Sequence, residues 1–168
     1  MANEEATDRT PQQLLERVWQ IATNADSVLL VTYDDEGLHA RPMSARRLDG
    51  DDAVLRFLTD RKSHKVAGLR EGHAAAMVYC RDQHDHVALH GRMGWNEDRD
   101  AIAALWTTTD QAWWNSPQDA DLVQLVFTPG SAELWDKPNA LIAAALVMTS
   151  TITGETLRLG DHARLDDL

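Results

Sequence analysis

Hydroxyl and basic side chains follow one apolar run of the chain in a pattern that can bind a phosphate group. The segment Phe57–Lys65 contains Thr59, Ser63, His64 and Lys65. A strand end, a loop and a helix start in succession offer free backbone N–H groups and the positive end of a helix dipole. The hydroxyl groups and the lysine add further donors. The alternative is a solvated loop in which Ser63 only caps the helix.

Two arginines on the preceding predicted strand could contribute to the same site. Arg41 and Arg46 lie in Leu38–Arg46, and a guanidinium can bind phosphate bidentately, which a lysine cannot. An edge strand that carries charge to prevent aggregation is the competing interpretation. The combination with Ser63 and Lys65 favours the phosphate site.

The distribution of charge supports a single small anion. Residues 41–70, here called the basic segment, contain eight of the sixteen Lys and Arg residues but only four acids, whereas the whole chain has a net charge of −11. The segment is too small for a nucleic-acid footprint, and the surrounding negative charge would repel a polyanion. We therefore expect no nucleic-acid partner.

Histidines and tryptophans form two further sets of candidate residues. His84, His86 and His90 share one face of a predicted strand, but no cysteine or carboxylate stands at a recognised ligand spacing, so no metal site is expected. A histidine that touches the edge of a cofactor is the better possibility. The chain has six tryptophans but only two each of Phe and Tyr. Large aromatics line planar cofactors and dimer interfaces, and they also build ordinary cores.

The elements that must position these residues are mainly β-strands. Thr10 and Pro11 suit an N-cap and the first position of a helix that ends near residues 24–26. Strands joined by tight turns predict an antiparallel sheet closed into a barrel, with helices outside it. The predicted strands are 27–33, 38–46, 53–59, 74–80, 84–95, 121–127 and 131–135, and the later helices are 63–70 and 97–106. The apolar residues 140–152 form a helix or a strand, and their alanines favour the helix. Pro42 predicts an edge or bulged position for the second strand.

Bulk properties indicate one ordinary globular domain. The length of 168 residues is enough for one real core, and the sole cysteine, Cys80, excludes an intrachain disulfide. The polar residues 1–10 lack the apolar region of a secretory signal. The longest apolar run, residues 140–148, is too short to span a bilayer. We expect a cytoplasmic protein with no membrane partner.

Several stretches, in this order and spacing, resemble the flavin-binding split-barrel superfamily related to pyridoxamine 5′-phosphate oxidase. Within it, the chain is most similar to the bacterial general stress protein 26 group. The resemblance covers about residues 11–137. The matching stretches are Gly37–Met43, Phe57–Asp60, Ser63–Lys65, His86–Gly91, Asn96–Arg99, Leu105–Trp106, Trp113–Trp114 and Ala132–Trp135.

The resemblance implies a fold, a cofactor and a set of contacts. The fold is a mainly β, antiparallel split barrel with flanking helices (α+β), and the protein is a homodimer that holds FMN between its subunits. Residues 1–10 would be a flexible terminus, and residues 138–168 a helix and tail packed on the domain or on the dimer partner. The implied cofactor contacts are Arg41, Pro42, Met43, Arg46, Leu58, Thr59, Ser63, His64, Lys65, His86, Trp113 and Trp135, with Trp135 and Trp113 or Trp114 supplied by the other subunit.

The resemblance leaves the activity open. The Arg-x-His-x-Arg motif that the oxidases use for their vitamin B6 substrate has no counterpart after Trp135, so oxidation of that substrate is not expected. A flavin-dependent oxidoreductase of unknown substrate and redox partner is the first hypothesis, with no protein acid or base assigned. The alternatives are a flavin-binding stress protein without turnover, which stores, scavenges or senses flavin, and a split barrel that binds deazaflavin F420 or haem.

Overall fold

The computed structural model describes residues 9–34, 36–67, 69, 72–81, 85–136 and 161–166. The helices are α1 (Pro11–Thr23), α2 (His64–Ala67), α3 (Arg99–Leu105) and a 3₁₀ helix (Thr108–Ala112). The strands are β1 (Val28–Asp34), β2 (Gly37–Met43), β3 (Arg46–Leu48), β4 (Asp51–Asp60), β5 (His73–Arg81), β6 (Asp85–Asn96), β7 (Leu122–Asp136) and β8 (Asp161–Asp166).

The first helix begins where the local sequence predicts. The Thr10 side chain accepts a hydrogen bond from the backbone N–H of Gln13, and the Gln13 side chain accepts one from the backbone N–H of Thr10. This reciprocal capping box satisfies two helix-end donors, and Pro11 supplies a backbone already set for the first turn. Val18 and Ile21 are fully buried, and α1 packs against β5, β6, β7 and β8.

One antiparallel sheet forms the body of the molecule. Its strand order is β2-β1-β5-β6-β7-β4-β3, and β8 also pairs with β7. The two end strands, β2 and β3, are consecutive in the chain and are separated only by Ser44 and Ala45, but they do not pair with each other. The sheet is therefore split at this point instead of closed. The predicted class, a mainly β antiparallel split barrel with helices, is confirmed, and Pro42 lies on an edge strand as expected.

The inner face of the curved sheet carries the core. Alternate residues of each strand point inward, as the two-residue period of a strand requires. The fully buried inward side chains include Leu30, Phe57, Met77, Tyr79, Leu89, Met93, Leu125 and Phe127. Residues opposite them on the same strands, such as Leu29 and Tyr33, remain exposed.

The prediction of two strands around a turn at residues 128–130 is wrong. β7 runs unbroken from Leu122 to Asp136. Pro129 is accommodated because the register between β6 and β7 shifts at His90 and Gly91, where Gly91 faces Pro129. A bulge leaves a position without a ladder hydrogen bond, which is where a strand proline is tolerated.

Two other strand predictions also change. The predicted strand 38–46 is interrupted, because β2 ends at Met43 and β3 begins at Arg46. The tail contains a strand that the sequence did not indicate: β8 pairs with the end of β7, from Ser131 opposite Asp166 to Asp136 opposite Asp161. The predicted helix 140–152 lies outside the described residues. Within the part of the chain that the structure describes, no helix is long and apolar enough to cross a membrane.

Candidate functional site

The basic residue of the second strand points to the inner side of the sheet. Arg41 pairs in register with Leu30, and Met43 with Val28, and both partners are buried. One guanidinium nitrogen of Arg41 donates to the Thr32 hydroxyl oxygen at 3.1 Å. Thr32 is itself 6% exposed, so β1 supplies a fixed hydroxyl that orients this guanidinium.

The turn after β4 positions the second part of the site. The Asp60 carboxylate accepts from the Lys62 backbone N–H at 2.6 Å, and the Asp60 carbonyl accepts from the Ser63 N–H at 3.1 Å. Ser63 follows this turn, and its hydroxyl oxygen is buried. This atom has no hydrogen-bond partner among the described residues. A buried hydroxyl without a partner is uncommon and indicates a group that a ligand would satisfy.

The helix that follows is shorter than predicted. α2 contains only His64–Ala67, where the sequence predicted a helix through residue 70. His64 is exposed, and Lys65 is partly buried. A helix of one turn has little dipole, so the anion-binding capacity of this region depends on side chains more than on the helix start.

Arg41 and Lys65 lie close enough to repel each other. Burial, and next the positive charge of Arg41, lower the pKa of Lys65, while Asp60 partly opposes them. Two cations held together on partly desolvated side chains are unfavourable unless an anion lies between them. A phosphate dianion would provide that charge.

The other described cations of the basic segment mostly have carboxylate partners. Arg61 pairs with Glu97 at 2.6 Å, Lys62 pairs with Asp121 at 2.7 Å, and Arg56 pairs with Asp51. The Arg47 guanidinium lies over the Trp19 ring, 4.6 Å from its centroid. Arg41 and Lys65 differ from these residues, because neither has an ion pair with a described carboxylate.

Arg46 has a different environment from the one predicted. Its guanidinium donates to both carboxylate oxygens of Asp110, at 2.8 and 2.6 Å, and to the carbonyl oxygen of Leu105 at 2.9 Å. Burial alone would raise the pKa of Asp110, but the hydrogen bonds from Arg46 and Thr107 outweigh it and lower that pKa. The structure therefore gives the Arg46 guanidinium a carboxylate partner within the chain, which Arg41 and Lys65 do not have.

Adjacent predicted contacts lie on opposite faces of their strands. Pro42 is opposite Leu29, which is 41% exposed, so it faces away from Arg41 and Met43. Thr59 shares the core face with Phe57 and is 3% exposed. Leu58 is partly buried on the other face, opposite Gln124.

The aromatic and histidine candidates lie elsewhere on the sheet and its loops. His86 stands between Cys80 and Trp135 across β5, β6 and β7, and its Nδ1 atom is buried with no hydrogen-bond partner among the described residues. Trp135 is 38% exposed and Trp113, just after the 3₁₀ helix, is 71% exposed. His84 lies outside the described residues. Nowhere in the described part of the chain do three His, Cys, Asp or Glu side chains gather in a group that could hold a metal ion.

Sequence reasoning missed two residues that shape this region. Thr32 was hidden in an apolar strand, and only the register of β1 with β2 shows that it meets Arg41. Asp110 lies in a polar stretch of sequence, and its contact with Arg46 spans 64 positions of the chain. Neither contact has a local sequence signal.

Comparison with known proteins identifies the family. The family model described as pyridoxamine 5′-phosphate oxidase like matches residues 13–158. The chain belongs to the pyridoxamine 5′-phosphate oxidase-like family. The predicted family is thus confirmed, and the Arg41 and Lys65 site lies within the region that matches it. No curated protein matches the chain significantly.

Solved structures related to this pyridoxamine 5′-phosphate oxidase-like chain confirm the fold. A general stress protein 26 from Jannaschia sp. CCS1 has a TM-score of 0.70 at 23% identity, covering 92% of this chain and 99% of the other. The general stress protein 26 of Bacillus anthracis str. Sterne has a TM-score of 0.63 at 21% identity, covering 72% and 92%. The general stress FMN/FAD binding protein of Xanthomonas citri has a TM-score of 0.68 at 22% identity, covering 77% and 92%.

Proposed function

We propose that the protein is a homodimeric FMN-binding oxidoreductase that holds the 5′-phosphate of the cofactor between Arg41 and Lys65. The observation that carries this proposal is the pair of cations itself. Burial and the positive charge of Arg41 lower the pKa of Lys65, neither cation has a carboxylate partner in the described chain, and both lie in the same segment as the unsatisfied Ser63 hydroxyl. A phosphate monoester supplies both the negative charge and the acceptor oxygens that this group lacks.

The surrounding residues suit the remainder of FMN. Met43 and Thr59 are on the same face of their strands as the buried core, and a thioether and a hydroxyl suit a ring and a ribityl chain respectively. Bound FMN would supply hydride and electron transfer, and the protein would supply position and charge. The general stress protein of Xanthomonas citri, which has the same fold, is described as binding FMN or FAD, which supports a flavin ligand here.

The outer face of the sheet supports a homodimer. Leu29, Tyr33 and Leu38 are 41%, 62% and 76% exposed, and they lie together because Tyr33 is opposite Leu38 in the β1–β2 pair. An exposed apolar sheet face of this kind marks an interface. In the proposed dimer, Trp113 of one subunit covers the flavin bound to the other, and His86, Leu58 and Trp135 remain proposed contacts of the ring region.

The absorption spectrum of the purified protein tests the cofactor. We expect a yellow protein that binds added FMN and releases FMN on denaturation. A colourless protein that takes up no added FMN would exclude flavin binding, and a deazaflavin or haem spectrum would assign the barrel to that cofactor instead. Bleaching of the bound flavin by NADH or NADPH, followed by reoxidation with an added acceptor, supports an oxidoreductase. A flavin that resists both reductants over hours supports storage or sensing.

Leu29→Asp is expected to prevent formation of the dimer. The new carboxylate would be buried against an apolar surface without a partner, which is strongly unfavourable. Sedimentation equilibrium should show a dimer for the unaltered protein and a monomer for Leu29→Asp. Gln118→Asp, which adds the same charge at an exposed loop position outside the sheet, should remain dimeric. A monomeric unaltered protein, or a dimeric Leu29→Asp variant, would contradict the proposed interface.

A further inference from the structure

The ion pair between Arg46 and Asp110 is the most completely enclosed charged contact among the described residues. The side chain of Asp110 is 3% exposed and that of Arg46 is 21% exposed. The Asp110 carboxylate also accepts from the Thr107 backbone N–H at 2.7 Å and from the Thr107 hydroxyl at 2.9 Å. Bidentate geometry together with further donors is what makes a buried ion pair stable.

This pair joins three separate parts of the chain. Arg46 is the first residue of β3, Leu105 is the last residue of α3, and Asp110 lies in the 3₁₀ helix. The guanidinium reaches the carbonyl oxygen of Leu105 as well as the carboxylate of Asp110. One side chain on the edge strand therefore anchors both the end of α3 and the segment that follows it.

The anchored segment ends in two tryptophans. The backbone N–H groups of Trp113 and Trp114 donate to the carbonyl oxygen of Asp110, at 3.0 and 3.1 Å. Their rings are 6.3 Å apart between centroids, and Trp113 is 71% exposed. An exposed tryptophan on a segment that is fixed at its base is preorganised to meet a ligand.

We propose that Arg46 is a positioning residue, which through Asp110 holds Trp113 in place over the flavin and does not itself touch the phosphate. The assignment of Trp113 to the flavin rests on the proposed function. Arg46 was predicted from the sequence as a phosphate contact, and the two roles make opposite predictions. A phosphate contact discriminates FMN from riboflavin, whereas a residue that acts through Trp113 affects both ligands equally.

A double-mutant cycle with both ligands distinguishes the two roles. Arg46→Met should raise the Kd for FMN and for riboflavin by the same factor, and that factor should match the effect of Trp113→Ala. The double variant should bind each ligand no more weakly than whichever single variant has the higher Kd. The reason is that the effects of two substitutions do not add when the residues act as one unit. Arg61→Met, which removes a surface arginine paired with Glu97, is the matched control and should bind both ligands normally.

The quenching of flavin fluorescence on binding gives an independent readout. Arg46→Met and Trp113→Ala should lose the same part of the quenching, since both displace one indole ring. Larger losses for FMN than for riboflavin in Arg46→Met, or effects of Arg46 and Trp113 that add, would overturn the positioning role. Arg46→Lys keeps the charge but loses the bidentate geometry. It provides the same comparison if Arg46→Met does not fold, and it should resemble Trp113→Ala.

Amide hydrogen exchange tests the anchor without any ligand. The N–H groups of Trp113 and Trp114 should exchange at least about tenfold faster in Arg46→Met and in Asp110→Asn than in the unaltered protein. Unchanged exchange would overturn the anchor whatever the ligand data show. If the unaltered protein binds no flavin, the proposed function fails, and the exchange measurement alone decides whether the segment is anchored by Arg46.

Discussion

Lys65→Ala is expected to weaken FMN binding by about 10- to 150-fold and riboflavin binding by much less. The range corresponds to one charge-assisted hydrogen bond, about 1.5–3 kcal/mol. The positive charge of Arg41 acts on Lys65, so a phosphate group between the two side chains would relieve their repulsion. The phosphate would also accept a hydrogen bond from the Lys65 ammonium group. Riboflavin has the same ring and ribityl chain without the phosphate, so the ratio of the two affinities isolates that contact.

The neighbouring lysine provides the control for this experiment. Lys62 is three positions away, is exposed, and pairs with Asp121 at 2.7 Å, so Lys62→Ala should leave the ratio unchanged. Arg41→Ala should lower the ratio as Lys65→Ala does, with some additional loss for both ligands because the Thr32 contact disappears too. Titration calorimetry or flavin fluorescence can measure all of these constants. If Lys65→Ala lowered the affinities for FMN and for riboflavin equally, the phosphate would not bind at this site.

Gly91→Ala is expected to reduce the free energy of unfolding by about 2–3 kcal/mol. A Cβ atom on Gly91 would overlap the carbonyl oxygen of Thr128 and would stand 2.8 Å from the Pro129 Cα and 2.9 Å from the Phe127 ring. Two of these neighbours are backbone atoms of β7, which pairs with β4 up to Phe127 and with β8 from Ser131 onward, so the strand is held on both sides of the contact. The shift would disturb the bulge that accommodates Pro129.

Gly130→Ala is the matched control at the same bulge. Its Cβ would meet only the His90 carbonyl oxygen, at 3.9 Å, which is ordinary contact, so stability should change by no more than about 0.5 kcal/mol. Urea unfolding followed by tryptophan fluorescence measures both variants. Similar midpoints for Gly91→Ala and Gly130→Ala would show that the close approach at Gly91 does not limit the packing of β6 on β7.

Elements governed by neighbouring residues were predictable from the sequence. The capping box at Thr10 and Gln13 defines the start of α1 within four residues of chain, and the turn signals placed most strands correctly. Predictions failed where distant pairing overrides a local signal. Thr128, Pro129 and Gly130 have the composition of a turn, but pairing with β6 keeps them in one strand, with Gly130 as the extra residue of a bulge in β7. β8 has no strong alternation of its own and is formed by pairing with β7.

The same distinction between local and distant signals applies to the residues of the candidate site. Ser63 and Lys65 were predictable because the strand end, turn and helix start that present them are consecutive in the sequence. The carboxylate partner of Arg46 was not predictable. Both arginines belong to the basic segment, and only the three-dimensional position of Asp110 shows that one of them is already neutralised. Charge composition can indicate an anion site, but it does not identify which cations have protein partners.

The pairing of β4 with β7 has a consequence for synthesis on the ribosome. β4 joins β7 from Leu55 opposite Phe127 to Asp60 opposite Leu122, and the Arg61 N–H donates to the Asp121 carbonyl at 2.7 Å. The turn that presents Ser63 and Lys65 is therefore held by residues translated long after it. Contacts so distant in sequence form late, because closing the intervening loop costs entropy before any pairing is gained. A nascent chain that has not yet released β7 from the exit tunnel lacks the strand pairing that anchors this turn, so binding of the proposed phosphate here would follow synthesis of β7.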